Sequence, residues 1–267
     1  MYLGFDLGTS GMRAVLATQD GTVVKSTEQI FGVAHPHSGW AEQDPELWIK
    51  AAKACIADLR ANAGDALADL KGIGLSGQMH GAVLLDRNGK IIRPCILWND
   101  TRSHAEATQL DQTASVRDLS GNIVFPGFTA PKLMWLAKHE PDAYARIDKV
   151  LLPKDYLRFW LTGEHVSEMS DAAGTSWLDV GARAWSSQLL AATDLSIEQM
   201  PRLVEGSEVS AQMRADLAAR WGMGTVVVAG GAGDNAASAI GLGAVEAGSA
   251  FVSLGTSGVL FAANDSY

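Results

Sequence analysis

Apolar residues come first in short runs and only later with a helical period. Leu3-Gly4-Phe5-Asp6-Leu7 is an apolar strand carrying one carboxylate, Gly8-Thr9-Ser10-Gly11 is a tight polar turn, and Met12-Arg13-Ala14-Val15-Leu16 is a second apolar strand. Gly21 opens a third, Thr22-Val23-Val24-Lys25, and three strands at such short spacing must be largely antiparallel. The pattern then changes. Asp44-Pro45 reads as an N-cap followed by proline at the first helical position, and Leu47, Trp48, Ala51, Ala52, Cys55, Ile56 and Leu59 recur with the 3.6-residue period of a helix buried on one face. Strands are expected at 70–76 and 82–85, with Asn88-Gly89 marking a hairpin turn before Ile91-Ile92, and at Ile96-Leu97-Trp98. From about 102 to 220 the pattern is mostly helical, with only Val150-Leu151-Leu152 clearly extended. A buried strand at 225–229, a Gly230-Gly231-Ala232-Gly233 turn and a small-residue helix opening with Asp234-Asn235 come next.

The opening grammar returns near the other end: Ala250-Phe251-Val252-Ser253-Leu254 is a strand, Gly255-Thr256-Ser257-Gly258 a turn, and Val259-Leu260-Phe261 another strand. Gly8 and Gly11 can take positive φ and leave room for an anion, so that neighbouring N–H groups point into one concavity. Thr9 and Ser10 add hydroxyl donors, and Asp6, at its strand's end, can hold a phosphate-bound Mg²⁺ directly or through water. Either hairpin alone could be a Gly/Ser-rich turn with Asp6 as a turn acceptor; their repetition points to phosphate binding. A meander, a helix, then alternating strands and helices is the order of an actin-like, ribonuclease-H-like ATPase domain, an α/β fold with a mixed sheet flanked by helices.

Composition narrows the partners. With 267 residues, 47% of them apolar, the chain can bury a substantial core. A net charge of −9 without a Lys/Arg cluster argues against nucleic acid and anionic membrane, leaving a small substrate. No apolar run reaches the ~20 residues a bilayer span needs, and the amino terminus lacks a signal pattern, so a cytoplasmic protein is expected. Cys55 and Cys95 read as reduced core residues without metal-ligand spacing.

Seven segments together resemble the amino-terminal half of carbohydrate kinases of the FGGY family, and within it the xylulokinases. They are Asp6-Leu7-Gly8-Thr9-Ser10-Gly11, Ser76-Gly77-Gln78-Met79-His80-Gly81, Leu97-Trp98-Asn99-Asp100-Thr101-Arg102, Pro126-Gly127-Phe128-Thr129-Ala130-Pro131-Lys132, Leu152-Pro153-Lys154-Asp155-Tyr156-Leu157, Ser170-Asp171-Ala172-Ala173-Gly174-Thr175 and Gly233-Asp234-Asn235-Ala236. The resemblance implies transfer of the γ-phosphoryl of Mg·ATP to a sugar hydroxyl, most simply D-xylulose to D-xylulose 5-phosphate. Asp234 is then the general base, at a helix start where the dipole favours the ionised form; without the resemblance it would read as an N-cap. Asp6 becomes the metal-associated carboxylate. Met79, His80, Asp234 and Asn235 become the sugar contacts, and Gly8, Thr9, Ser10, Arg13, Gly255, Thr256 and Ser257 the nucleotide-phosphate contacts. Arg13 reads equally well as a strand arginine facing solvent, and Trp98 as core.

The expected organisation is a sugar-binding amino-terminal domain, 1–244, followed at 245–267 by the first hairpin of a truncated carboxy-terminal ATP-binding domain, the chain being inactive by itself. The alternatives are a catalytically silent sugar-binding half and a kinase of another ketose such as ribulose. Apolar surface at the missing interface would favour self-association, as in a homodimer.

Overall fold

The computed structural model describes residues 1–254 and 258–266. Its centre is a seven-stranded mixed sheet. Strands β1 (Tyr2–Leu7), β2 (Gly11–Ala17) and β3 (Val23–Ile30) form the expected antiparallel meander. Helix α1 (Pro45–Ala68) begins where anticipated, with the Asp44 side chain accepting from Glu46 N–H and proline at the first turn. It returns the chain to β4 (Gly72–Gly77), which lies parallel to β1 in the register Asp6 opposite Ser76 and Leu7 opposite Gly77. Leu3, Phe5 and Leu7 point to the packed face, where α1 covers them with Trp48, Ala52, Cys55, Ile56 and Leu59, whereas Gly4 and Asp6 point to the other, open face. Period-2 alternation thus divides the sheet into a core side and a working side.

The middle of the chain departs from expectation. Residues 149–151 are extended as expected, but so are Val166–Glu168, Leu178–Asp179, Ala184–Trp185, Arg202–Val204 and Val209–Gln212. Strands of two to four residues offer too few positions for alternation to stand out against a helical pattern. This region encloses a second core around Leu84, Ala130, Leu133, Leu136, Trp177 and Leu190.

The Gly230-Gly231 segment is a jog within a strand rather than a turn. Strand β5 (Val209–Gln212) pairs antiparallel with β6 (Val227–Ala229), and β6 pairs parallel with β4. After the jog, β7 (Ala232–Gly233) pairs with β4 again, Ala232 opposite Ser76. Gly231 has φ +75, and a Cβ there would stand 2.2 Å from the Leu75 carbonyl oxygen, so glycine is required by both conformation and space. The helix expected at Asp234 follows directly, Asp234–Leu242. The two terminal strands, Ala250–Leu254 and Gly258–Ala262, pair with each other apart from the main sheet. The turn residues Gly255, Thr256 and Ser257 lie outside the described residues. Among the described residues no helix is long and apolar enough to cross a membrane.

Candidate active site

Sheet register assembles the site. Asp6 stands opposite Arg13 on β2 and Ser76 on β4, and Ser76 stands opposite Ala232 on β7. Directly opposed residues share a face, so Asp6, Arg13 and Ser76 project together from the open side; the Ser76 hydroxyl donates to Asp6 Oδ1 at 3.0 Å. With neighbouring strands ~4.8 Å apart, Asp6 and the residues leading into Asp234 are separated by roughly 10 Å. They border a cavity of about 790 Å³ whose wall includes Asp6, Arg13, Ser76, Ser170, Ala232 and Ala236. Asp234 is not itself in that wall but is bracketed by Ala232 and Ala236, which are.

The Asp234 carboxyl does not cap its helix. Gly233 occupies the N-cap position, and Asp234 Oδ1 instead accepts from the adjacent Asn235 N–H at 2.8 Å. Contrary to the expectation from the helix dipole, its pKa is raised: burial disfavours the charged form, the Asn235 N–H opposes that, and the negative charge of Asp6 adds to the rise. A carboxyl raised in this way is better matched to proton transfer near neutrality.

The expected sugar contacts gather at the carboxyl end of β4, outside the cavity wall. Asn235 Nδ2 lies 3.9 Å from Met79 Sδ, and the thioether packs so closely on Gly233 that a Cβ there would meet it at 3.0 Å. His80 has φ +67. Its Nδ1 lies 2.8 Å from the Gly174 carbonyl, which can only accept, so Nδ1 carries the proton and Nε2 is left as an acceptor. The ring stacks on Phe128 with centroids 4.6 Å apart. Burial, with help from the nearby Lys132 charge, lowers its pKa to about 4, so the imidazole is neutral at ordinary pH.

The first turn behaves differently from expectation. Neither Gly8 nor Gly11 has positive φ; Gly11 is needed because a Cβ would stand 2.8 Å from the Gln29 carbonyl oxygen. Thr9 is braced rather than free: its hydroxyl accepts from Trp98 Nε1 at 2.9 Å and donates to Gln78 Oε1 at 3.4 Å, while its carbonyl accepts from Gln43 Nε2 at 2.6 Å. Trp98 therefore ties the turn to the segment that packs against Gly127. Ser10 is exposed, and Arg13 pairs with Glu28 at 3.5 Å while also lining the cavity. Among the described residues no group of three or more His, Cys, Asp or Glu can hold a metal. A metal gripped by protein alone does not fit this site, but Mg²⁺ carried on phosphates and met by one or two carboxylates does.

Sequence reasoning missed the residues beneath the site. Glu168 accepts from the Ser170 N–H and hydroxyl at 2.8 and 3.0 Å, and Ser170 Oγ accepts from Gly233 N–H at 3.1 Å. Arg158, wholly buried, donates to Ser210 Oγ at 2.9 Å and to the carbonyls of Ala229 and Gly230. These bonds brace the jog that delivers Asp234. Lys132 donates to the carbonyls of His80 and Gly127 at 2.7 and 2.5 Å. Of these, only Ser170 and Lys132 fall within the family-like segments; Glu168, Arg158 and Ser210 lie outside them.

Known proteins show the family and the fold. The chain is 51% identical over its whole length to the xylulose kinases of Klebsiella pneumoniae and Escherichia coli K12, covering 55% of each. A crystal structure of a xyloylose kinase from Brucella ovis superposes with a TM-score of 0.98 at 61% identity, covering 100% of this chain and 55% of that one. A xylulose kinase from Rhodospirillum rubrum gives 0.91 at 31%, covering 96% and 53%. The expected actin-like fold is therefore present, and the chain spans about half the length of the curated relatives it matches. Residues 1–241 match the model of the FGGY family of carbohydrate kinases, N-terminal domain, and the chain belongs to that family.

Proposed function

We propose that this chain is the sugar-binding half of a cytoplasmic, ATP-dependent pentulose kinase that converts D-xylulose to D-xylulose 5-phosphate. Residues 1–244 hold the sugar, and 245–267 begin the nucleotide-binding half. Relatives bearing the name xylulose kinase support the substrate. The observation that carries the reading is that one helix start sets Asn235 against Met79 and brings Asp234 within the electrostatic reach of Asp6 on the open face of the sheet.

In this reading the ketose lies against Met79 and His80, whose neutral ring accepts a hydroxyl proton in a hydrogen bond at Nε2, while the thioether covers a C–H face. The Asp234 carboxylate removes the proton from the attacking hydroxyl. The new O–P bond forms at the γ-phosphorus as the bond to the ADP oxygen breaks, and the proton stays on Asp234. Gly8, Ser10 and Arg13 face the phosphates, and Gly255, Thr256 and Ser257 are assigned to phosphate binding from their sequence pattern. Asp6, two strands across the sheet from the segment that delivers Asp234, is the carboxylate that would hold phosphate-bound Mg²⁺, which would supply charge neutralisation when bound.

An ADP-release assay with D-xylulose, run on this chain and on a form extended to the length of its relatives, tests the proposal. Turnover is expected only in the longer form, and Asp234→Asn should lower it by ~10²–10⁴ while leaving the fold intact. Near-normal turnover in that variant would remove Asp234 from its role. Faster turnover of D-ribulose than of D-xylulose would change the substrate assignment.

A further inference from the structure

Lys132 is 1% exposed, yet its ammonium meets no carboxylate among the described ion pairs. Its partners are two backbone carbonyls, those of His80 at 2.7 Å and Gly127 at 2.5 Å. Thr129, one turn earlier on the same helix (Thr129–His139), donates its hydroxyl to the same His80 carbonyl at 3.2 Å. Enclosing a cation without a counter-charge is costly, and its expense shows in a pKa lowered by burial to about 7. An arrangement so costly is out of proportion to the anchoring of an ordinary loop.

What it anchors is unusual backbone. His80 sits at φ +67, a region that side chains other than glycine seldom enter and that persists only where the surroundings over-determine it. The ring is held from two further sides, by the Gly174 carbonyl and by the face of Phe128. Gly174 has to be bare, because a Cβ there would stand 2.5 Å from His80 Cε1. Carbonyl, ring edge and ring face are thus each fixed by a different residue, and Lys132 is the one that joins the His80 turn to the Gly127 loop.

We propose that Lys132, seconded by Thr129, is a positioning residue for ketose recognition: by gripping the carbonyls of His80 and Gly127 it locks His80 in its left-handed conformation and fixes the ring that presents Nε2 to the sugar. The proposal rests on the reading of Met79 and His80 as the sugar contacts. Lys132 touches no reacting atom, so its effect belongs in substrate affinity rather than in the chemical step.

Two measurements separate the possibilities. Histidine-ring ¹⁵N NMR on this chain should show His80 as the Nδ1–H tautomer, and Lys132→Met should shift that resonance and mix the tautomers. In the extended enzyme Lys132→Met should raise KM for D-xylulose about tenfold or more with kcat within about twofold, the loss expected of a charged hydrogen bond. Thr129→Val removes only the second donor and should act in the same direction by about two- to threefold; it also serves if Lys132→Met fails to fold. A folded Lys132→Met with an unchanged His80 resonance and unchanged KM overturns the proposal, as does an unchanged Thr129→Val where Lys132→Met does not fold. If His80→Ala itself leaves KM unchanged, the sugar-site reading fails instead, and the NMR shift still decides whether Lys132 sets the ring.

Discussion

Two lysines are completely enclosed, and their surroundings are opposite. Lys154, at the start of the helix Pro153–Thr162, lies 2.8 Å from Asp155, 3.2 Å from Asp171 and 3.4 Å from Glu168, with Arg158 in the same cluster. Burial alone would depress its pKa, but the three carboxylates outweigh that and hold it above the usual lysine range. Lys132 has only carbonyl dipoles, and burial wins. The first arrangement is a charge-balanced floor: Glu168, held by Lys154, accepts from Ser170, which accepts from Gly233 next to Asp234. The second acts on backbone conformation at His80. One braces the proposed base through ions, the other the proposed sugar turn through dipoles.

Removing each cation should therefore have unequal consequences. Lys154→Met strands two or three carboxylates in the interior, and breaking a buried pair in this way costs ~3–5 kcal/mol. Urea unfolding should show a loss of that size, partly recovered by adding Asp171→Asn. Asp171 is the natural place for the recovery, since burial already pushes its carboxyl well above the usual range, against the pull of Lys154 and with the repulsion of Asp155 and Glu168. A loss below about 1 kcal/mol would mean that the cluster is not the floor described here. Lys132→Met leaves two carbonyls short of a donor but also removes a desolvated charge, so its cost should be smaller, ~1–2 kcal/mol.

The pH dependence sharpens the same contrast. The folded pKa of Lys132 is lowered from 10.5 to about 7, so between those values the unfolded chain binds more protons and stability rises with pH. Lys154, shifted the other way, contributes stability that is present below the unfolded lysine value and is lost only at still higher pH. Denaturant unfolding from pH 7 to 10 should therefore show a Lys132-dependent gain that is missing in Lys132→Met. An identical slope in the two proteins would show that Lys132 keeps its proton, and an ordinary lysine pKa, in the folded state. His80, lowered to about 4, contributes in a separate window, where stability falls as pH drops from 6.5 toward 4.

This contrast also explains which features could be read from the chain alone. The meander, the α1 start at Asp44-Pro45 and the helix at Asp234 follow from local periodicity and capping, which act within a few residues. Residues 166–212 hid their strands because each is only two to four residues long. Gly230-Gly231 looked like a turn because the reason for its glycines, the nearby Glu205 and Leu75 carbonyls, lies on a loop and a strand distant in sequence. Met79, His80, Asp234 and Asn235 were named through family resemblance; their proximity depends on β7 rejoining β4, which no local pattern encodes. Lys132, Lys154 and Arg158 could not be recognised as interior residues, since such side chains are ordinarily exposed and many of their partners are distant in sequence or are carbonyls that any residue supplies.

Arg13 supplies the small end of the scale. It is a cation like the two lysines, but its partner Glu28 is 3.5 Å away and the two side chains are 58% and 53% exposed. Water and salt screen such a pair, and holding two long side chains together costs entropy, so the net contribution is within about 0.5 kcal/mol. Arg13→Gln should leave the unfolding midpoint nearly unchanged. Its place opposite Asp6, on the wall of the cavity, predicts that the variant instead weakens ATP use in the extended enzyme, through KM for ATP or turnover. A stability loss above about 1 kcal/mol with unaltered kinetics would assign Arg13 to the scaffold, and would place this exposed cation with the buried ones.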